Sequence, residues 1–177
     1  MRYISALLLS AMLLMLFGCS QQQQMQQNAY TPKYVYRKGY TAYVLRNGRA
    51  VAPQNAPARI KRVIAAGNKI INKPYRRGGG HGRHHDSAYD CSGATSFILH
   101  EAGLLHKDSH PTSATYLRWG RPGFGKWLTV YAKRGHVFVM VAGIRFDTSG
   151  SGRGVGPRWY TTPRRCGGFY VRHIPTY

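Results

Sequence analysis

The sequence predicts an α+β domain, in which helices come first along the chain and antiparallel strands follow. Apolar residues recur with a helical period in two stretches before residue 103. Beyond residue 120 apolar and polar residues alternate instead, which is typical of strands. The chain has 177 residues, of which 43% are hydrophobic, so it is long and apolar enough to bury one core.

Two helices are predicted in the first half of the chain, each with recognisable ends. The first spans Ala58 to Asn72, and Pro74 stops it because the residue before a proline avoids the helical conformation. The second runs from about Cys91 to Ala102. Asp90 is placed to cap its N-terminus and Gly103 to end it.

Four strands are predicted in the second half, joined by turns that contain glycine. They span Trp127 to Ala132, His136 to Val141, Ile144 to Ser149 and Gly168 to Ile174. Ahead of the helices, a Tyr-rich stretch from Tyr30 to Tyr43 predicts a short edge strand, and Asn47-Gly48 predicts a turn into Ala50-Val51.

The chain begins with a pattern that is typical of a secretory signal peptide. Arg2 precedes an apolar run from Ala6 to Phe17, which is shorter than the ~20 residues that span a membrane. The ending Leu16-Phe17-Gly18-Cys19 resembles the lipobox of bacterial lipoproteins, in which the cysteine is acylated. We therefore expect a lipid anchor on Cys19 that holds the protein in the bacterial cell envelope. Ser20 favours the outer membrane, facing the periplasm; the alternative is ordinary cleavage near Gly18.

This interpretation divides the chain into three parts. Residues 1–18 are the predicted lipoprotein signal peptide. Residues 19–56 are a predicted tether, rich in glutamine at first, followed by the Tyr-rich segment. Residues 57–177 are the predicted domain.

The charge balance limits the possible functions. The chain has 26 Lys+Arg but only 5 Asp+Glu, for a net charge of +21. So few acids argue against a calcium loop or a two-metal phosphatase site. Most of the positive charge must therefore face solvent or an anionic partner. Because the signal peptide exports the protein, no nucleic-acid partner is expected and an anionic envelope polymer fits better; envelope protein partners stay open.

The run Asp90-Cys91-Ser92-Gly93 places a thiol in the first turn of the second helix. Unpaired backbone N–H groups and the helix dipole stabilise a thiolate there. The small Ser92 and Gly93 leave room for a substrate carbonyl, and the Cys91 N–H is placed to hold an oxyanion. The pattern predicts a nucleophile; the alternative is a buried structural cysteine.

A nucleophilic cysteine needs a base, and His136 is the candidate. If Ala142-Gly143 forms a two-residue turn, Val141 pairs with Ile144, and His136 and Asp147 become diagonal neighbours on one face. There the carboxylate can orient the imidazole that accepts the thiol proton. A three-residue turn would put Asp147 on the opposite face.

Four motifs follow one another along the chain: Lys73-Pro74-Tyr75, Gly78-Gly79-Gly80-His81, Tyr89-Asp90-Cys91-Ser92-Gly93 and Gly135-His136-Val137. Together they resemble the NlpC-type cell-wall cysteine peptidases, a papain-like family, over roughly Pro57 to Ile174. The resemblance implies that N-terminal helices pack on an antiparallel sheet, with the nucleophile on a helix and the base on the sheet.

Carried over to this chain, the resemblance makes Cys91 the nucleophile and His136 the general base. The third polar position, commonly His in the family, falls on Asp147. Tyr75 matches a tyrosine near the active-site cysteine that hydrogen-bonds or lines a subsite. The family hydrolyses peptidoglycan peptides, typically between γ-D-glutamyl and a diamino acid, whereas some relatives are amidases or act on other acyl substrates.

Two other interpretations compete with the peptidase. His81, His84, His85 and Asp86 form a potential zinc cluster, but adjacent histidines point in different directions and the loop is Gly-rich. We instead expect a solvated loop beside the cleft, with His81 and Ser92 as candidate substrate-binding residues and with no metal or cofactor. The second alternative is a non-catalytic, lipid-anchored basic module that binds the cell wall through its positive charge. Its candidate glycan contacts are Tyr30, Tyr34, Tyr36 and Tyr40.

Cys166 has no assigned chemistry in the sequence. We expect a free or buried thiol. A disulfide with Cys91 is the alternative, because an oxidising compartment permits it, and it would silence the nucleophile.

Overall fold

The computed structural model describes residues 33–150, 152 and 154–175. The predicted signal peptide, Cys19 and the glutamine-rich tract lie outside the described residues. No helix within the described ranges is long and apolar enough to cross a membrane.

The α+β prediction is confirmed. The described residues form three helices and eight strands, and six of the strands make one antiparallel sheet in the order β3-β8-β4-β5-β6-β7. The helices are α1 (Ala58–Ile70), α2 (Cys91–Glu101) and α3 (Ser113–Tyr116). The strands are β1 (Tyr43–Val44), β2 (Ala50–Val51), β3 (Arg121–Pro122), β4 (Leu128–Lys133), β5 (His136–Val141), β6 (Ile144–Asp147), β7 (Arg158–Tyr160) and β8 (Tyr170–His173).

The predicted elements are present, with ends that differ by up to two residues. α1 stops at Ile70 rather than Asn72, since the chain makes a turn in which Lys73 N–H donates to the Ile70 carbonyl. The Tyr-rich stretch differs more, because its strand begins only at Tyr43. β1 and β2 pair antiparallel across the predicted turn at Asn47-Gly48.

The two long helices pack against each other and against β5, so the main core lies between this helical layer and the sheet. Gly67 on α1 allows the Trp159 indole of β7 to approach, because a Cβ at this position would overlap the ring. Phe146 lies against the same indole, with ring centroids 4.7 Å apart. On its other face the sheet carries a smaller buried cluster: Tyr131, Phe138, Cys166, Phe169 and Val171.

Asn68 joins the segment ahead of α1 to the rest of the fold. Its side chain exchanges two hydrogen bonds of 2.8 Å with the backbone of Ala50, and its Oδ1 also accepts from Trp159 Nε1 at 3.0 Å. Ala42, Ala50 and Ala56 are buried in the main core. The described part of the N-terminal segment is therefore packed on the domain.

Candidate active site

The N-terminus of α2 holds Cys91, and its cap is tied to the Gly-rich loop. Asp90 has extended backbone angles and its Oδ1 accepts from Gly93 N–H at 2.7 Å, which confirms the predicted N-cap. The other oxygen, Oδ2, accepts from Gly78 N–H at 2.9 Å. A Cβ on Gly93 would overlap the carbonyl of Gly79, so the loop can lie directly against the helix only because glycine is there. Cys91 is a free thiol, 8% exposed.

The β5–β6 turn brings the candidate base and its carboxylate together. Val141 pairs with Ile144, as the two-residue turn predicts. Ala142 and Gly143 both have positive φ, 46° and 83°, as a type I′ turn requires. His136 and Asp147 therefore share a face, and His136 Nε2 lies 2.9 Å from Asp147 Oδ1.

His136 lies between the carboxylate and the thiol. Burial alone lowers the pKa of its imidazole, but hydrogen bonds to Asp147 and Cys91, together with their negative charges, outweigh burial and raise the pKa from 6.5 to about 9. The ring is therefore charged at neutral pH. Because Asp147 occupies Nε2, Nδ1 is the nitrogen left for the thiol.

Asp147 is held by four donors, and its side chain has no exposed surface. Its Oδ1 also accepts from Ser149 N–H at 3.0 Å, and its Oδ2 accepts from Arg145 at 3.0 Å and Arg164 at 2.9 Å. A buried carboxylate needs such partners, because an unpaired buried charge is strongly destabilising. The two guanidiniums hold Oδ2 and the Ser149 N–H holds Oδ1, so the carboxylate cannot turn away from His136.

Neither arginine was predicted as part of the site. Arg145 is two residues before Asp147 on the same strand, so the alternation of side chains places both on one face, and this signal was available. Burial lowers the pKa of Arg145, although an arginine keeps its charge in proteins. Arg164 follows β7 in an irregular stretch without periodicity, so no sequence pattern connects it to Asp147.

Tyr75 borders an open groove beside the catalytic candidates. The groove has a volume of about 330 Å³ and is lined by Tyr75, His136, Thr148, Ser149 and residues of the following loop. Burial, followed by the negative charges of Cys91 and Asp90, raises the pKa of Tyr75. The tyrosine thus lies near the thiol, while its side chain stays partly exposed to the groove.

His81 and Ser92 are bound to the helix cap. His81 Nε2 lies 3.2 Å from Asp90 Oδ1 and 3.0 Å from Ser92 Oγ. Ser92 Oγ also donates to Asp90 Oδ1 at 3.0 Å. These bonds orient the cap that carries Cys91, and substrate binding by either side chain stays a prediction.

The other loop histidines and Asp86 take separate partners. Asp86 pairs with Arg76 at 2.8 Å, and backbone bonds from Gly80 and Ser87 hold the pKa of its carboxyl well below the usual range. His84 instead stacks between His100 and His110. Across residues 33–150, 152 and 154–175, no group of three or more His, Cys, Asp or Glu is arranged to hold a metal ion.

Cys166 forms no disulfide within the described residues and is 1% exposed in the smaller cluster on the far face of the sheet. Its Sγ donates to the Arg164 carbonyl. The expectation of a buried thiol is confirmed, and the alternative disulfide with Cys91 is wrong, because the two sulfurs lie in different clusters.

No known family model matches the chain, and no curated protein matches it significantly.

Proposed function

We propose that the protein is a thiol endopeptidase of peptidoglycan stem peptides, with a papain-like arrangement of helix and sheet. The observation that carries the proposal is the hydrogen-bonded line from Asp147 through His136 to Cys91. A capped helix start carries the thiol, and an antiparallel strand pair carries the base and its carboxylate. The packing of α2 on β5 supports the papain-like arrangement, since it joins the two halves of the site.

The mechanism follows from these positions. The Cys91 thiolate attacks the amide carbonyl, and the negative oxygen that forms is stabilised by the Cys91 N–H and the N-terminus of α2. His136 donates its proton to the departing amine, so the C–N bond breaks and an acyl-enzyme remains. A water molecule then attacks the thioester while His136 accepts its proton, which releases the acid and restores the thiolate. Asp147 keeps the imidazole in the correct tautomer throughout.

The substrate is inferred from the groove, the charge and the resemblance. Stem peptides carry carboxylates, which the cationic surface attracts. The resemblance assigns the scissile bond to γ-D-glutamyl and a diamino acid, with amidase or acyl-transfer chemistry in the same fold as the alternative. Acylation of Cys19 would hold the enzyme at the envelope, next to its substrate.

Defined muropeptides test this proposal. Wild-type protein and its Cys91→Ala variant are incubated with disaccharide tetrapeptide and with crosslinked dimers, and products are identified by mass spectrometry. We expect wild type to release one new amine and one new acid, and Cys91→Ala to release none. A chelator should not change the wild-type result. Turnover by Cys91→Ala would reject the thiol mechanism. Loss of wild-type turnover on addition of a chelator would reject it as well.

A non-catalytic wall-binding module is the second candidate, favoured by the +21 net charge. It predicts that wild type and Cys91→Ala bind sacculi equally and that neither releases an amine. A wild type that binds sacculi without turnover, in the assay above, would select this candidate over the enzyme.

A further inference from the structure

A second cavity lies at the turn end of the β5–β6 hairpin. It has a volume of about 660 Å³, and its walls include Tyr40, Trp127 and the turn residues 142 and 143. His136 and Asp147 are at the opposite end of the same hairpin. Since a strand rises ~3.4 Å per residue, the six residues of β5 separate the two sites by about 20 Å. The cavity is therefore distinct from the candidate active site.

Among the described residues, three cations surround this cavity and no carboxylate lines it. Lys33, Arg37 and Lys126 contribute to its walls. The five acids of the chain all lie in the described residues and all pair elsewhere: Asp86 with Arg76, Asp90 with His81, Glu101 with Lys69, Asp108 with His106, and Asp147 with His136 and two arginines. The positive charge of the cavity is thus left for an anion from outside the fold.

The cavity also presents an aromatic surface. Tyr40 stacks on Trp127, with ring centroids 5.9 Å apart and planes 14° apart. Trp127 is 9% exposed, whereas Tyr40 is 52% exposed. One ring is thus fixed in the core and supports a second that faces the solvent. An exposed ring on a rigid support provides contact area at little cost in conformational entropy.

The walls are held in place before any ligand binds. Thr41 Oγ1 donates to the Val35 carbonyl and accepts from Arg37 N–H, both at 3.0 Å. Ala42 N–H donates to the Ala142 carbonyl at 2.8 Å, which fastens the segment to the hairpin turn. The cations and the aromatic pair therefore belong to one preformed cavity, of the size that binds small molecules.

We propose that this cavity binds an anionic saccharide. A sugar ring packs against the exposed Tyr40 ring, which Trp127 supports from the core, while its carboxylate or phosphate group pairs with Arg37 and Lys126. Sugar rings have an apolar face of C–H groups, so such a ligand matches both the aromatic surface and the charge. A neutral sugar leaves the cations unpaired, and a simple inorganic anion leaves the aromatic surface uncovered.

Calorimetric titration of the full chain carrying Cys91→Ala tests the proposal without turnover. Four probes separate the contribution of the negative charge to binding from that of the sugar ring. They are N-acetylmuramic acid, N-acetylglucosamine 1-phosphate, neutral N-acetylglucosamine and inorganic phosphate. We expect saturable binding of at least one sugar anion, at least about tenfold tighter than the neutral sugar or phosphate. The sugar anion that binds more tightly shows whether the ligand carries a carboxylate or a phosphate group. Equal affinity for a sugar anion and either control probe, or no saturable binding of either sugar anion, overturns the proposal.

Matched variants locate the binding. The double variant Arg37→Gln, Lys126→Gln should bind the sugar anion at least about tenfold more weakly, because two charged contacts are lost. The control pair, Lys61→Gln with Arg118→Gln, removes the same charge from two other exposed positions and should leave the affinity unchanged. An equal loss of affinity in the two double variants would show a general effect of net charge and would reject binding at this cavity. The outcome does not depend on the proposed hydrolysis, since every protein in the experiment lacks the Cys91 thiol.

Discussion

His136 is the residue on which the chemistry of the candidate site depends. Its imidazole touches the buried Asp147 carboxylate on one side and the Cys91 thiol on the other. Both neighbours stabilise the charged ring and so raise its pKa to about 9. A charged ring supports a thiolate beside it and is ready to donate a proton to a leaving amine.

Replacing Asp147 by Asn should return the His136 pKa toward 6.5, because the ring loses its charged partner. We also expect kcat to fall about 10²- to 10⁴-fold. NMR titration of the His136 ring measures the first effect, and muropeptide turnover measures the second. Asp108→Asn is the control, since Asp108 is an exposed acid that pairs with His106, away from the candidate site. An unchanged His136 pKa in Asp147→Asn would contradict the assigned role.

The same shift predicts how stability depends on pH. The folded-state pKa of His136 is above its unfolded value of 6.5, so the folded protein holds this proton more tightly. The stabilisation is fully present below pH 6.5 and is lost as pH rises through about 9. Urea denaturation across this range should show the loss in wild type and a smaller loss in Asp147→Asn. Equal losses in both proteins would argue that other groups cause it.

At the scale of elements, the β5–β6 turn determines whether the site forms. Its two residues set the register that places His136 and Asp147 on one face. Ala142 adopts φ 46°, which is unfavourable for a residue with a Cβ. The turn is therefore strained at one position that the catalytic geometry requires.

Ala142→Gly should stabilise the fold by about 0.5–1 kcal/mol, since glycine adopts a positive φ freely. The same substitution at Ala114, an exposed position in α3, should destabilise by up to about 1 kcal/mol because glycine weakens a helix. Urea denaturation of both variants measures the two effects. Loss of stability in both would show that the methyl group of Ala142 matters more than the backbone strain.

The extent to which the sequence predicts the site depends on how local each signal is. The cap at Asp90 and the hairpin register both follow from a few adjacent residues, and both are confirmed. β3, β7 and α3 were missed because two to four residues are too few to show a period. Arg164 was missed for a different reason: it reaches Asp147 only through the tertiary fold.

A stack of three histidines joins the loop before α2, the end of α2 and the segment before α3. His84 lies between His100 and His110, at centroid distances of 3.8 and 4.3 Å, and its Nε2 faces the Lys107 carbonyl at 2.9 Å. Burial lowers the pKa of His84, and the neighbouring histidines lower it further. The hydrogen bond to the Lys107 carbonyl raises this pKa but does not outweigh them. The Nδ1 atoms of all three rings are buried without a hydrogen-bond partner in the described structure, although His100 Nδ1 lies 4.0 Å from Glu101 Oε1.

Acid should therefore weaken the fold at this stack. The His84 pKa is lower folded than unfolded, so its contribution is present above 6.5 and is lost as pH falls below that value. His84→Gln keeps a polar side chain beside the Lys107 carbonyl but cannot titrate, so its stability should change less between about pH 7.5 and about pH 5.5. His106→Gln, at an exposed histidine, is the control. An equal pH dependence in wild type and His84→Gln would exclude the stack as the cause.

The acids and the cations of the chain have different roles. All five acids are committed to pairs inside the described fold, and two of them, Asp90 and Asp147, hold the candidate site. Most of the 26 cations have no acid to pair with, since five acids cannot neutralise them. The excess charge therefore faces solvent and acts over the whole surface, with the cavity near Tyr40 as one place where it is concentrated.

This division predicts that salt separates binding from chemistry. Salt screens the attraction of the cationic surface to an anionic wall, because the Debye length falls from ~10 Å at 0.1 M salt to ~3 Å at 1 M. The full chain carrying Cys91→Ala should therefore dissociate from purified sacculi over that range. The contact between His136 and Asp147 is buried and screened much less, so turnover of a short muropeptide at saturating concentration by wild type should fall far less. Sedimentation with sacculi measures binding, with neutral chitin particles as the control, and mass spectrometry measures turnover. Retention on sacculi at 1 M salt would show that specific contacts, rather than net charge, hold the protein to the wall.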